Sequence, residues 1–327
     1  MTCHMLQRLI AGLEAVRRRI LPSCMLMFLL VPVALLAVSC NSSTSQVDME
    51  KVVPETAATT SKDLRTPLHI AVAAMISPET TRQYYEELLR LVADRMGRRA
   101  VFSQRRTYAE VNTMVMNKEV DAAFVCAGPY TKGHEQFGME MIAVPVVHGV
   151  TVYHSYILAH RDSSYNSLND LRGKKFAFTD PDSNTGSLVP TYMLARRGET
   201  PASFFREYFY SNSHDNSIKA VADGQADGAA VDSLIWEFLN TINPALTSRT
   251  KIIEKSPPYG IPPIVVHPAM DAATKKQLKQ IFLTLHEEKE SALLLAKIQV
   301  DRFVERDDKM YDTVREMNRW LEKRKGR

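Results

Sequence analysis

The sequence predicts an α/β protein whose body folds as two lobes with parallel-rich sheets, joined by two crossover strands. Three observations carry that expectation. From Leu68 onward, short apolar runs alternate with amphipathic helical stretches, the pattern of a parallel sheet with helices on its faces. The alternation restarts at Lys175, so there are two such units. Two further apolar runs, 155–159 and 261–267, stand where the chain can cross over and cross back.

The elements follow in order. Residues 68–74 form a short apolar run bounded by Pro67 and Ser77-Pro78, which suits a buried strand. Ser77 can cap the next helix, Pro78 fits its first turn, and Glu79 favours its positive end. Tyr85, Leu88, Leu89, Val92 and Met96 then recur at helical spacing. A strand at 100–103, a helix at 108–117 and a strand at 121–126 complete the first unit, ending in a turn, Ala127-Gly-Pro-Tyr130. The second unit has strands at 175–179, 209–211 and 228–232, with helices running to 196 and over 216–223. From about residue 272 the chain reads as helical. Residues 66–155 and 261–327 are therefore expected to make lobe 1, and 156–260 lobe 2.

The N-terminal part reads differently. Arg17, Arg18 and Arg19 precede an apolar run of about 14 residues that exits through Ala37-Val-Ser-Cys40, the three parts of a secretory signal. The run falls short of the roughly 20 apolar residues a spanning helix needs. Its exit resembles the bacterial lipobox, which implies cleavage before Cys40, acylation of that cysteine and a membrane tether. Asn41 stands where an inner-membrane retention signal would place Asp. Residues 41–65, rich in Ser and Thr and without helical or strand period, read as a flexible tether.

Removing residues 1–40 also removes most of the charge. They hold Arg8, Arg17, Arg18, Arg19 and Glu14, a net +3 of the chain's +4, so the body is close to neutral. That gives nucleic acid no basic patch to bind. Of the four cysteines only Cys126 lies in the body, so no internal disulfide is expected, and in an apolar strand it reads as a buried thiol. The histidines His134, His148, His154 and His160 lack metal-ligand spacing, and no cofactor is expected.

Chemistry concentrates in the second unit. Asp180-Pro-Asp-Ser-Asn-Thr-Gly-Ser187 follows a strand and opens a helix, where N–H donors and the helix dipole favour an anion. Ser183, Thr185 and Ser187 add hydroxyls without fixed charge. Each hydrogen bond to an ionised group contributes roughly 1.5–3 kcal/mol, so a few support micromolar binding. Plain helix capping is the competing reading of the same residues. His214, in Ser213-His-Asp-Asn-Ser217, and Asp232, at the end of the third strand, come from neighbouring carboxyl-end loops of that lobe. His214 can donate to an oxyanion. Asp232 can accept a proton from one, which would select phosphate, phosphite or phosphonate over sulfate.

These segments, together with Asp121-Ala-Ala-Phe-Val-Cys-Ala-Gly-Pro-Tyr130 and Gly224-Gln-Ala-Asp-Gly-Ala-Ala-Val-Asp232, resemble the PhnD-type binding proteins. Those are substrate-binding components of phosphate, phosphite and phosphonate ABC transporters with the type II periplasmic binding fold. The resemblance implies that Ser183, Asn184 and Thr185 hold the oxyanion, although the family often has a hydroxyl where Asn184 stands. It further implies that His214 and Asp232 line the cleft and that Tyr130 closes over the ligand. The first loop, Met75-Ile-Ser-Pro78, lacks the family's tyrosines, so Ser77 and Thr80 are expected to supply hydroxyls instead. With no extra acid for an aminoalkyl group, a small inorganic oxyanion is favoured. The partners implied are a small phosphorus oxyanion, the permease and ATPase of an ABC importer, and the membrane through the lipid. A monomer is expected. A sensor presenting the ligand to a membrane receptor or kinase fits the same residues. A hydrolase using His214 and Asp232 lacks a nucleophile or metal set.

Overall fold

The computed structural model describes residues 65–325, so the signal segment, Cys40 and the tether up to residue 64 lie outside the described residues. β1 (Pro67–Val72) alternates with helices to β2 (Arg99–Gln104) and β3 (Ala122–Phe124), and β1 pairs in parallel with both. The helix Pro78–Arg95 begins at a proline, as its missing N–H requires. The helix Tyr108–Met116 is fixed by a capping box in which Thr107 and Glu110 satisfy each other's N–H groups.

The second unit repeats this arrangement. β7 (Lys175–Phe178) pairs in parallel with β8 (Glu207–Tyr210) and β9 (Gly228–Asp232). The local order 2-1-3 of one sheet thus returns as 8-7-9 in the other. The first sheet is extended by β12 (Ile264–Val266), β4 (Glu140–Val146) and β13 (Arg302–Val304), all antiparallel to their neighbours. The second is extended by β6 (Ser155–His160) and β10 (Thr250–Lys255), also antiparallel.

Three local expectations change. Ala127-Gly-Pro-Tyr130 is not a turn but the start of the helix Ala127–Phe137, in whose first turn Pro129 loses no hydrogen bond. The runs expected to cross between lobes are strands inside the sheets, β6 beside β9 and β12 between β3 and β4. The crossing falls just before each, at β5 (Val152–Tyr153) and β11 (Tyr259–Gly260), which pair as an antiparallel ribbon. The C-terminal segment is not continuously helical. β13 interrupts it between the helices Lys289–Lys297 and Asp312–Lys325. A run as short as β13 is caught by an open sheet edge, which no local period reveals.

One apolar cluster packs Leu68, Ile70 and Val72 of β1 against Leu88, Leu89 and Val92. Another is continuous through both lobes, joining Val125 and Tyr130 to Val189, Ile218 and Val231. The two lobes are therefore shut on one another.

Candidate ligand-binding site

Three strand ends of the second sheet build the site. After β7 the chain passes Thr179 and Asp180 into a single π turn, Asn184–Leu188, which runs on as the helix Val189–Ala195. Ser183 caps that turn, its oxygen accepting from the Gly186 N–H at 3.0 Å. After β8, Ser213 caps the helix His214–Ala222. After β9, Asp232 caps the helix Ser233–Ile242, one oxygen accepting from the Leu234 N–H at 2.7 Å. All three residues so presented, Thr185, His214 and Asp232, are fully buried.

They meet at one place. The backbone N–H of Asp232 donates to His214 Nδ1 at 3.0 Å, and the Thr179 hydroxyl lies 3.0 Å from the same nitrogen. The Ser155 hydroxyl donates to the Thr185 carbonyl at 2.6 Å, and Ser155 stands opposite Asp232 in the β6–β9 register. Burial alone lowers the His214 pKa to about 3, so the imidazole is neutral. With Nδ1 accepting, its proton sits on Nε2. Burial raises Asp232 to about 7, against the lowering effect of the Leu234 and Ile235 N–H groups.

Five buried polar atoms here have no partner: Thr185 Oγ1, His214 Nε2, Asp232 Oδ2, Asn184 Oδ1 and the Tyr108 hydroxyl. A folded chain rarely leaves such atoms unpaired, because each costs about 1–3 kcal/mol. Asn184 Nδ2 donates to the Tyr153 hydroxyl at 3.0 Å. Turning that amide over keeps the bond, with the phenol donating, and presents NH2 to the shared space. The set then offers an imidazole N–H, an amide and two hydroxyls, all uncharged, together with one carboxyl.

The site residues named from sequence separate into two groups. Ser183, Asn184, Thr185, His214 and Asp232 come together. Tyr130 is buried, but its hydroxyl donates to Asp308 at 2.6 Å and its ring centroid lies 4.7 Å from that of Tyr311. Arg315 holds the same Asp308 oxygen at 2.7 Å, so this phenol is tied to the C-terminal segment. Ser77 and Thr80 are half-buried with their hydroxyls 3.2 Å apart, and the Ser77 N–H donates to both oxygens of Asp215 at 3.1 Å. The Ser77 backbone therefore serves the seam between lobes.

Sequence reasoning passed over Tyr108, Tyr153 and Tyr85. Burial pushes the Tyr108 and Tyr153 phenols well above their usual range, with the charges of Cys126 and Asp232 adding to it. Burial and then the Asp232 charge raise Tyr85 to about 12. The available signal was position, since Tyr108 opens a helix directly after a strand end. Cys126 is fully buried with its thiol raised by burial, which makes it a poor nucleophile.

The lobes are clamped around this group. The His214 N–H donates to the Met75 carbonyl at 3.0 Å, and the Tyr108 N–H to Asp180 at 3.1 Å. Lys132 pairs with Asp182 at 3.0 Å, and Tyr84 meets Phe238 edge-on at 5.0 Å. Gly128 approaches so closely that a Cβ there would lie 2.3 Å from the Asp182 carbonyl oxygen.

The profile of a family described as the periplasmic substrate-binding protein of phosphonate ABC transporters matches residues 70–311. The chain is 29% identical over 215 residues to the phosphate-import protein PhnD of Mycolicibacterium smegmatis, covering 62% of this chain and 64% of that one. It is 30% identical over 150 residues to the phosphonates-binding periplasmic protein of Escherichia coli, covering 45% and 44%. The chain thus spans less than two thirds of these curated relatives. Among solved structures, the binding protein component of an ABC phosphonate transporter from Pseudomonas aeruginosa superposes with a TM-score of 0.74 at 24% identity, covering 78% of this chain and 86% of that chain. PhnD1 of Prochlorococcus marinus, in complex with methylphosphonate, gives 0.72 at 20% identity, covering 79% and 99%. At those identities the likeness speaks for the fold, the type II periplasmic binding fold. Through the profile match over most of its length, the chain belongs to the family of periplasmic substrate-binding proteins of phosphonate ABC transporters.

Proposed function

We propose that this protein captures phosphate, phosphite or a small phosphonate between its lobes and delivers it to the permease and ATPase of an ABC importer. It acts by binding, without turnover. The observation that carries the reading is the set of unpaired buried atoms, Thr185 Oγ1, His214 Nε2, Asn184, Tyr108 and Asp232 Oδ2, enclosed by both lobes. A tetrahedral oxyanion would receive hydrogen bonds from the hydroxyls, the amide and the imidazole. Asp232 would accept the remaining P–OH proton, which sulfate lacks near neutrality. Because every donor is neutral, the ligand keeps its charge while losing water, and release on reopening stays possible.

The match to relatives named for phosphate import and phosphonate binding supports the same class of ligand. The lipobox-like exit at Cys40 supports a lipid-anchored, extracytoplasmic protein. Titration calorimetry against phosphate, phosphite, methylphosphonate and sulfate tests the proposal. Heat with a phosphorus compound and none with sulfate is expected, and flat traces for all phosphorus compounds would refute it.

A further inference from the structure

We propose that the C-terminal helix, Asp312–Lys325, is a strap that ties the two lobes together and steadies the turn carrying Asn184 and Thr185. The inference rests on the interlobe reading of the site above, and it holds for whichever phosphorus oxyanion enters. The start of the helix is fastened to the lobe of the first sheet. Asp308, just before it, accepts from the Tyr130 hydroxyl at 2.6 Å and from Arg315 of the helix at 2.7 Å. The Tyr311 hydroxyl donates to the Ile261 carbonyl at 2.7 Å, one residue past β11. The seat on β11 is close, since a Cβ at Gly260 would lie 2.8 Å from the Met310 carbonyl oxygen.

From there the helix lies on both lobes. It touches the helix Ala127–Phe137 of the first, and in the second both the π turn Asn184–Leu188 and the helix Val189–Ala195. Val314 and Met317, both buried, belong to the apolar cluster that also holds Tyr130 and Val189. Near the far end Trp320 meets Tyr192 edge-on, with ring centroids 5.1 Å apart, and the Arg196 guanidinium faces both rings. Rings so arranged attract beyond the apolar area they bury. A motion at β5 and β11 that parts the lobes must strip Trp320 from the second lobe or pull Asp308 from Tyr130. The strap's contacts therefore stabilise the closed state alone, and they raise ligand affinity by the same factor. Trp320 is a positioning residue, acting through the lobe that carries the ligand turn.

Trp320→Ala and Asp308→Ala in the full-length protein cut the strap at its two ends. Calorimetry with phosphate and methylphosphonate should show affinity about five- to tenfold weaker for each variant. Cutting both ends should cost no more than cutting one, because either cut frees the strap, whereas two merely local defects would add. X-ray scattering without ligand should show a larger radius of gyration in either variant. An affinity within twofold of the unmodified protein in folded Trp320→Ala, or effects that add in the double variant, overturns the inference and leaves the oxyanion reading intact. If neither compound binds the unmodified protein, that reading falls and scattering alone decides, superimposable curves then overturning the strap. Tyr192→Ala removes the same ring contact from the second lobe and takes the place of Trp320→Ala should that variant not fold.

Discussion

The backbone N–H of Asp232 donates to Nδ1 of His214 across 3.0 Å. A strand end thereby fixes the tautomer of a histidine on a neighbouring helix and turns its Nε2–H toward the unpaired group. His214→Phe keeps an aromatic ring and removes the donor. A hydrogen bond to a charged group contributes roughly 1.5–3 kcal/mol, so affinity for the phosphorus ligand should fall about ten- to a hundredfold by calorimetry. The same variant changes the acid response of the ligand-free protein. Folded His214 titrates near 3 and the unfolded residue near 6.5. Below pH 6.5 the unfolded chain gains a proton that the folded one refuses, so stability falls as pH drops from 6.5 toward 3. Thermal melts should show His214→Phe losing less stability over that window.

Asp232 has the opposite sign. Its carboxyl is raised from 3.8 to about 7, so its contribution is complete below pH 3.8 and is lost as pH climbs through 7. Asp232→Asn keeps the cap to Leu234 and cannot ionise. Ligand-free melts should coincide with the unmodified protein near pH 4 and exceed it at pH 8, by at most about 4 kcal/mol. In calorimetry the variant should lose at least about tenfold in phosphate affinity and gain measurable sulfate binding.

Closure should depend unequally on two of its electrostatic clamps. Asp215 takes the Ser77 N–H across the seam and is partly shielded, whereas in the Lys132–Asp182 pair the lysine is exposed. Asp215→Ala should lower affinity several-fold and enlarge the radius of gyration of the ligand-bound protein by X-ray scattering. Lys132→Ala should alter affinity by less than about fivefold, since an exposed pair contributes roughly 0–1 kcal/mol.

Gly128 is required by proximity. Gly128→Ala puts a methyl 2.3 Å from a backbone carbonyl of the facing lobe, which has no rotamer to yield. The variant should fold with little change in melting temperature without ligand, yet bind at least a hundredfold more weakly because the lobes cannot shut. Gly186→Ala tests the interior instead. Its Cβ would lie 2.5 Å from Thr179 and 3.0 Å from His214 Cε1, so it should lower both stability and affinity.

Cys40 carries the anchor in the proposed reading. Cys40→Ser should abolish incorporation of labelled palmitate and move the protein from the membrane to the soluble fraction, with ligand affinity within twofold of the unmodified protein. Retention in the membrane with no label incorporated would point to an uncleaved apolar anchor.

Local chemistry made much of this legible. Pro78, the Thr107–Glu110 box and the Ser183, Ser213 and Asp232 caps announce helix starts in a few residues, because capping satisfies N–H groups within one turn. β9 needed only four small or apolar residues and a terminal aspartate. Tyr153 and Tyr85 were silent, since a tyrosine in a helix or strand reads the same whether it packs in a core or faces a ligand. The bond from Tyr130 to Asp308 was equally silent, because the two lie 178 residues apart.

By itself the sequence determined two α/β units, several of their helix starts and the hydroxyl, imidazole and carboxyl groups at the second unit's strand ends, since these are set by periods and caps within a turn or two. Only the tertiary structure decided that the crossing is the β5–β11 ribbon, and that Ser77 and Tyr130 serve the seam and the C-terminal segment. Those outcomes depend on contacts between residues far apart in the chain, whose geometry exists only once two sheets have formed and closed.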